Sequence, residues 1–515
     1  MNDEKSPIAD VMLLLEGTYP YRMGGVATWM EQIIKGLPEL TFYLGFIGTR
    51  KEDYPTMCYQ IPPNVIGIKE IFLHERLTDE ELKPAPTPEK QREVIYNLLE
   101  SFYFSTTLAE QASQFWPIID AINDAKDNFT LGNLIKDPEA WDLVRRTYEA
   151  FTPEESFIDF FWAVRLIHLP FWQLWRGVRD LPPARAYHSV STGYAGILGC
   201  MASYIHKAPF FLTEHGIYTK ERVLEISRAD WIYEDDTTQM SFSDSLGKLK
   251  WIWIGLFKLL GKIAYDKSVK ILTLFEDNAL TQIELGADSN RIQIVPNGII
   301  PKNFDGMYQQ VRERRLQHPD DKIVGFVGRV VPIKDVKTLI RSAGVVCRQC
   351  PNTKFLIAGP YAEDPAYFEE CTKIVKMLNL DENVIFMGPQ KLRDVLPKID
   401  VLVLTSISEG LPLVMLEAMA AGIPMVATDV GACRELIFGR TAEDKALGAC
   451  GRITPMLSPA KTAQALSAIL QDNRLWNRMG EAGRRRVDLF YTMDQMLTQY
   501  RSLYNLGKVI PAGFF

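Results

Sequence analysis

The sequence predicts an α/β protein whose C-terminal half is a doubly wound parallel sheet and whose N-terminal half opens on a strand, a loop and a helix. Three observations carry this. From Ile323 onward, apolar runs of strand length alternate with helix-length amphipathic segments. Within that stretch, DVLVL (Asp400 to Leu404), a turn, a short helix (Leu413 to Ala421) and a second apolar run (Pro424 to Thr428) form a β-α-β unit. At the other end of the chain, the strand Val11 to Leu15 runs through a loop, Glu16 to Gly25, into a helix. Its apolar residues Val26, Trp29, Met30, Ile33, Ile34 and Leu37 fall at helical spacing.

The remaining elements follow in order. Phe42 to Phe46 and Val65 to Ile71 are strands. Leu77 to about Phe151 has long helical patterns, a proline-rich patch (KPAPTPEK) and no strand alternation. With the aromatic segment after it, this makes a helical insertion over about 77–180. Ala186 to Ser191, Pro209 to Thr213, Lys270 to Leu274 and Gln293 to Val295 return to the sheet. Pro296 to Gly306 (PNGIIPKNFDG) has turn residues without periodicity and reads as the linker between halves. Then come strand Ile323 to Val327, helix Val336 to Val346, strand Phe355 to Ala358 and helix Tyr367 to Met377. Strand Val384 to Met387 and helix Leu392 to Lys398 lead into the unit described above. Helices Pro459 to Leu470 and Arg474 to about Asn505 end the chain. The expected domains are 1–300, 301–488 and a terminal helix in 489–515.

Composition narrows the class. The chain has 515 residues, 47% hydrophobic and 23% charged, enough for two or three globular domains. With 64 acidic against 57 basic residues, a net charge of −7 and no basic tract, nothing points to nucleic acid. The N-terminus MNDEKSPIAD is polar and precedes only five apolar residues, so no secretory signal is expected. Seven scattered cysteines fit reduced thiols and a cytoplasmic location. Cys347 and Cys350 form one C-x2-C, but no second ligand pair accompanies it and no zinc site is expected.

No uncharged apolar run reaches the 18 residues of a spanning helix. Two amphipathic segments come near, Phe157 to Val178 and Trp251 to Ala264. Two readings stand for them: helices packed on the core, or docking faces for a membrane or a membrane-bound partner.

The candidate site residues lie at predicted strand ends, where open α/β sheets bind ligands. Glu409 sits in the turn after Asp400 to Leu404, and Gly410 lets backbone approach a ligand closely. Glu417 lies two turns along the next helix, where its carboxylate can accept both hydroxyls of a diol such as ribose. GRVVPIKD places Arg329 and Lys334 after strand Ile323 to Val327, and two cations beside a helix N-terminus suit a diphosphate without a metal. Gly24 and Gly25, between the first strand and helix, allow close backbone approach to phosphate or sugar. His215 follows strand Pro209 to Thr213; a lone histidine there is either a sugar contact or a satisfied structural residue.

These motifs carry a resemblance. Glu409-x7-Glu417 with EAMAAGIPMVATDVGACRELI resembles the donor-site signature of retaining glycosyltransferases of family 4, which have the GT-B fold. Across essentially the whole chain, LLLEGTYPYRMGGVATWMEQII, TEHGIYTKER and the helical insertion resemble the PelF-like glycosyltransferases of Pel exopolysaccharide synthesis. The resemblance implies two Rossmann-like domains facing across a cleft, acceptor on the N-terminal side and nucleotide sugar on the C-terminal side. The last helix is expected to cross back to the N-terminal domain.

It also implies residue roles. Glu409 lies at the donor sugar, followed by Gly410 and Leu411, and Glu417 holds the ribose. Arg329 and Lys334 neutralise the diphosphate; the family often has Lys-Gly here, and this chain has Lys334-Asp335. Gly24 and Gly25 touch donor phosphate and acceptor, His215 bonds the sugar, and Asn297 with Gly298 matches a hinge. Gly388 to Leu392 holds the base. The activity implied is retaining transfer of a hexose or N-acetylhexosamine from a UDP-sugar to a growing polysaccharide. No metal or other cofactor is expected, and the expected partner is an inner-membrane export complex. Two alternatives are a GT-B nucleotide-sugar epimerase or phosphorylase, and a non-catalytic scaffold of such a complex. Glucose and N-acetylhexosamine stay undistinguished as donor sugars.

Overall fold

The structure, a computed structural model, describes residues 8–227 and 247–509, with side chains to residue 506. The polar N-terminal residues 1–7 and the end of the expected terminal segment, 510–515, lie outside the described residues. The described chain divides into two compact units. Unit 1 comprises residues up to Thr273, Ala279–Gln293 and the chain from Tyr500 on; unit 2 comprises Leu274–Asn278 and Ile294–Gln499.

Unit 1 carries seven strands: β1 (Val11–Glu16), β2 (Phe42–Gly48), β3 (Val65–Phe72), β4 (Tyr187–Ser189), β5 (Phe210–Glu214), β6 (Lys270–Thr273) and β7 (Ile292–Ile294). They lie in the order β3-β2-β1-β4-β5-β6-β7. Successive strands step outward from β1 on one side and from β4 on the other, so the topological switch point lies between β1 and β4. Helix α1 (Gly25–Gly36) follows β1 and buries Trp29, Met30, Ile33 and Ile34, the face its spacing predicts. Between β3 and β4 stands the helical insertion: α2 (Glu89–Tyr103), α3 (Leu108–Ala125), α4 (Leu131–Lys136), α5 (Pro138–Phe151) and α6 (Phe157–Arg179). Residues 77–88 of the expected insertion are not helical. Helices α7 (Tyr194–His206), α8 (Tyr218–Ser227), α9 (Lys248–Lys267) and α10 (Glu276–Glu284) follow.

Both amphipathic segments are helices. α6 buries Phe160, Ala163, Leu174 and Val178. Its opposite face leaves Ile158, Trp162 and Leu166 at 67%, 52% and 43% exposure, one stripe at i, i+4 and i+8. α9 buries Ile254, Leu256, Phe257, Leu260 and Ile263 and leaves Trp251 exposed. Among the described residues no helix is long and apolar enough to cross a membrane.

Unit 2 has six parallel strands: β8 (Lys322–Val327), β9 (Thr353–Ala358), β10 (Val384–Gly388), β11 (Val401–Leu404), β12 (Met425–Thr428) and β13 (Gly451–Thr454). Their order is β10-β9-β8-β11-β12-β13, and the switch point falls between β8 and β11. Its helices are α11 (Met307–Gln317), α12 (Val336–Gln349), α13 (Pro365–Met377), α14 (Leu392–Val395), α15 (Leu413–Ala420), α16 (Cys433–Phe438), α17 (Ala442–Lys445), α18 (Pro459–Gln471), α19 (Asn473–Phe490) and α20 (Met493–Val509). The last of these continues into unit 1.

Three sequence-based expectations need correction. The terminal helix from Arg474 to about Asn505 is two helices, α19 and α20. The chain breaks at Tyr491–Thr492 to exchange backbone hydrogen bonds with Ile299 (2.9 and 2.8 Å), and Thr492 with Gln495 caps the new helix. Leu392 to Lys398 divides into α14 and a 3-10 turn, Leu396–Lys398, because Pro397 has no N–H to continue the helix. β11 starts one residue late: Asp400 is fully buried, its N–H donates to Ile323 O (2.7 Å), and its carboxylate accepts from Ile323 N–H (2.7 Å) and pairs with Arg315 (3.2 Å). Within the expected linker Pro296 to Gly306, Asn297, Ile299 and Phe304 are buried and Pro301–Phe304 forms a 3-10 turn.

Candidate active site

In unit 2, the motifs that follow β8 and β11 converge. Residues Pro332–Lys334 form a 3-10 turn after β8. Thr405 Oγ1, after β11, donates to the carbonyls of Lys334 (3.1 Å) and Asp335 (2.9 Å), and Ile407 N–H donates to Ile333 O (2.8 Å). This lacing holds Lys334 Nζ against Glu409 Oε1 at 2.6 Å, with Ser406 Oγ on the same carboxylate oxygen at 2.5 Å. Glu409 keeps only 9% of its side chain exposed and Lys334 21%, so the pair is shielded far more than a surface bridge. Two residues 75 positions apart are therefore in direct contact.

Asp335 stands where a glycine was expected. It adopts φ 44° and ψ 52°, the left-handed region, and its carboxylate caps α12 by accepting from Thr338 N–H at 3.2 Å. Aspartate tolerates this conformation better than most residues, and the cap offsets the strain.

Arg329 lies on the same sheet edge. Its guanidinium pairs with Glu363 Oε1 at 2.5 Å, both groups about half exposed. Glu417, on α15, is half-buried, and burial pushes its carboxyl up to about 7. Gly410 leads into this helix and Leu411 is buried. The β12–α16 turn closes tightly on this segment. Gly431 sits at φ 52°, and a side chain there would meet the backbone oxygen of Glu409 at 2.2 Å. Gly388 ends β10 at φ 67°, and Leu392 opens α14 four residues on. Asn297 is buried, and Gly298 lies so close to the Thr492 backbone that a side chain would collide with it at 2.3 Å.

Gly24, Gly25 and His215 belong to unit 1. Gly24 caps α1 in extended backbone, and a Cβ on either glycine would touch nothing within 4 Å, so no internal packing requires glycine there. His215 packs edge-on against Trp29, ring centroids 4.6 Å apart, which ties it to α1. Burial lowers its pKa to about 4, so it is neutral near pH 7. The loop bearing it is fixed by its neighbour. Glu214 is fully buried and accepts from Tyr265 OH (2.8 Å), Gln282 Nε2 (2.9 Å), Thr192 Oγ1 (3.3 Å) and Tyr218 N–H (3.3 Å).

The sequence reading missed three residues here. Ser406 shares the Glu409 oxygen and lies inside the motif already singled out. Glu363 and Tyr361 sit on the loop after β9, which had no signal beyond polarity. Tyr361 stacks on Phe368 at 4.3 Å and lies 3.8 Å from the Cβ position of Gly388.

Comparison with known proteins follows this division. The chain belongs to the family described as "Domain of unknown function (DUF3492)", whose model matches residues 9–290. Residues 308–486 match the model of "Glycosyl transferases group 1", so the chain carries a glycosyltransferase domain. D-inositol 3-phosphate glycosyltransferase of Nocardia farcinica is 31% identical over 212 residues, 40% of this chain and 45% of that protein. The protein of that name from Kineococcus radiotolerans is 30% identical over 230 residues, 42% of this chain and 53% of that one. The match thus spans about half the length of these relatives. Among solved structures, Anabaena HepE, in a complex with UDP, superposes with a TM-score of 0.56 at 14% identity, over 96% of this chain and 99% of that one. Sucrose-phosphate synthase of Thermosynechococcus elongatus gives 0.55 at 16% identity, over 96% and 98%. These likenesses establish the fold as GT-B.

Proposed function

We propose that the protein is a retaining glycosyltransferase that moves a hexose or N-acetylhexosamine from a UDP-sugar to a growing exopolysaccharide of the Pel kind. The observation that carries the reading is the Lys334–Glu409 contact. It joins the two motifs that a nucleotide-sugar site needs, at the switch point of a parallel sheet. Both candidate diphosphate cations, Lys334 and Arg329, rest on carboxylates that a diphosphate would replace. HepE, which holds UDP in one structure and UDP-glucose in another, supports a UDP-sugar as donor.

In this mechanism Arg329 and Lys334 stabilise the departing diphosphate where its negative charge develops, and no metal is needed for that step. Glu409, released from Lys334, positions the donor sugar or stabilises positive charge on it. The leaving phosphate helps take the proton of the attacking acceptor hydroxyl, so the new bond forms on the face the nucleotide leaves. The ribose hydroxyls donate to Glu417, and Tyr361 beside Gly388 offers the base an aromatic face. Neutral His215 accepts or donates one hydrogen bond to sugar. A cytoplasmic site of action and an inner-membrane export complex as partner belong to the same proposal. The exposed stripe Ile158, Trp162 and Leu166 supports a docking face for that partner.

Calorimetric titration with UDP, ADP and GDP tests the reading. Selective binding of UDP, weakened in Glu417→Ala, is expected. Absence of binding for all three nucleotides would remove the donor site.

A further inference from the structure

In unit 2, α12, the end of α13 and the first residues of α18 enclose an open groove of about 800 Å³. Arg341, Gly344 and Arg348 lie along its α12 side at i, i+3 and i+7, with Val345 beside them. The end of α13 adds Met377, which is 79% exposed, and Leu378. An apolar surface is thus bracketed by two arginines, and among the described residues no carboxylate lines it. Neither arginine pairs with a carboxylate among the described residues; Arg348 Nε donates to the Gly344 carbonyl at 3.0 Å. Glycine inside a helix costs about 0.5–1 kcal/mol relative to alanine. Yet a Cβ at Gly344 would meet only the side chains of Leu378 and Leu380, at 3.4 and 3.7 Å, so internal packing does not require glycine there. It leaves a hollow between the two arginines that a side chain from another helix can enter.

α10 carries the complementary pattern within a single helix. Its Asp277, Leu280 and Glu284 also fall at i, i+3 and i+7. Glu276 and Ile283 flank them, and all five side chains are exposed, Leu280 and Ile283 at 54% and 42%. Acids in the first turn suit the helix dipole, which accounts for Glu276 and Asp277. Glu284 stands in the last turn, where a negative charge is unfavourable, and pairs with no cation among the described residues. The fold of the chain itself gives this carboxylate no use.

We infer that this face of α10 seats in the α12–α13–α18 groove of a second copy of the chain. Both patterns span seven residues, about 10 Å along a helix. With the two helices parallel, Asp277 meets Arg341, Leu280 enters the hollow over Gly344, and Glu284 meets Arg348. Ile283 is then left for the apolar side chains of Met377 and Leu378. One nine-residue helix in one groove buries less than the roughly 800 Å² a side of a standard interface, so self-association with a Kd of about 10–100 μM is expected. The inference does not depend on the transferase reading.

Sedimentation velocity of the full chain, over a concentration series through that range, tests it. Wild type is expected to move from monomer to a larger species as concentration rises, and less so at high salt. Arg348→Glu and Glu284→Lys should each weaken association by about tenfold with the thermal midpoint kept. Mixing these two proteins, or placing both substitutions in one chain, should restore it, because an acid again faces a base. Leu280→Asp, at an exposed position, should abolish association without unfolding the chain. Monomeric wild type throughout the series, association that survives Glu284→Lys or Leu280→Asp, or a mixture that stays monomeric would each overturn the inference.

Discussion

The two sheets present opposite chemistry at the same topological position. In unit 2 the crevice between β8 and β11 is lined by cations, Lys334 and Arg329, each held by a carboxylate. In unit 1 the crevice between β1 and β4 is filled by a carboxyl, Glu16, held by a helix N-terminus and a tyrosine. Doubly wound topology decides where a ligand goes, since strand ends and helix N-termini converge only there. The side chains at the two crevices are opposite in sign, and the proposed function assigns the diphosphate to the first.

The sharpest way to break this comparison is to remove the cations. Lys334→Ala or Arg329→Ala should lower kcat by about 10²–10³ with an unchanged circular dichroism spectrum, the usual cost of losing one group that stabilises transition-state charge. Unchanged turnover in either variant would end the diphosphate assignment. The buried carboxylate of unit 1 gives the next largest effect, on stability. Glu214→Ala strands the donors of Tyr265, Gln282 and Thr192 and should cost about 3 kcal/mol in urea unfolding. Glu214→Gln, which keeps an acceptor, should cost less than half of that. Gly431→Ala and Gly448→Ala both force a side chain into the left-handed region, but only the first also drives it against Glu409 O, so Gly431→Ala, at about 1–3 kcal/mol, should reduce transfer more.

The smallest effect concerns pH. Burial holds the Glu417 carboxyl at about 7 in the free protein. Ribose hydroxyls donating to it favour the ionised form, so binding UDP requires a deprotonated Glu417. Affinity should fall as pH drops below 7, by at most about tenfold per unit. In Glu417→Gln the part of the pH dependence owed to this group should vanish, leaving only that of UDP itself. Titrations of both proteins between pH 5.5 and 8 would show it.

Much of unit 2 was legible because its signals are local. Strand, turn, glutamate and helix follow each other within the 29 residues from Asp400 to Thr428, and the glycines mark tight approaches. Lys334 and Glu409 could be assigned to one sheet edge from pattern alone, though their contact needs the Thr405 and Ile407 bonds that no pattern encodes. What escaped depends on distant pairing. The break at Thr492 exists because Ile299, nearly 200 residues earlier, pairs with the backbone there. Glu363 and Tyr361 lie on the loop after β9, whose Gly359 packs against the Gly328 backbone. Glu16 read as the first residue of a loop, whereas its partners, Ala195 and Tyr218, lie roughly 180 and 200 positions away.

The most direct measurement is a crystal structure of the protein with UDP. The account predicts the diphosphate within hydrogen-bond reach of Lys334 and Arg329, with the contacts of those residues to Glu409 and Glu363 broken and Glu417 on the ribose. A diphosphate seated instead at the N-terminus of α7, with Glu16 displaced, would contradict it.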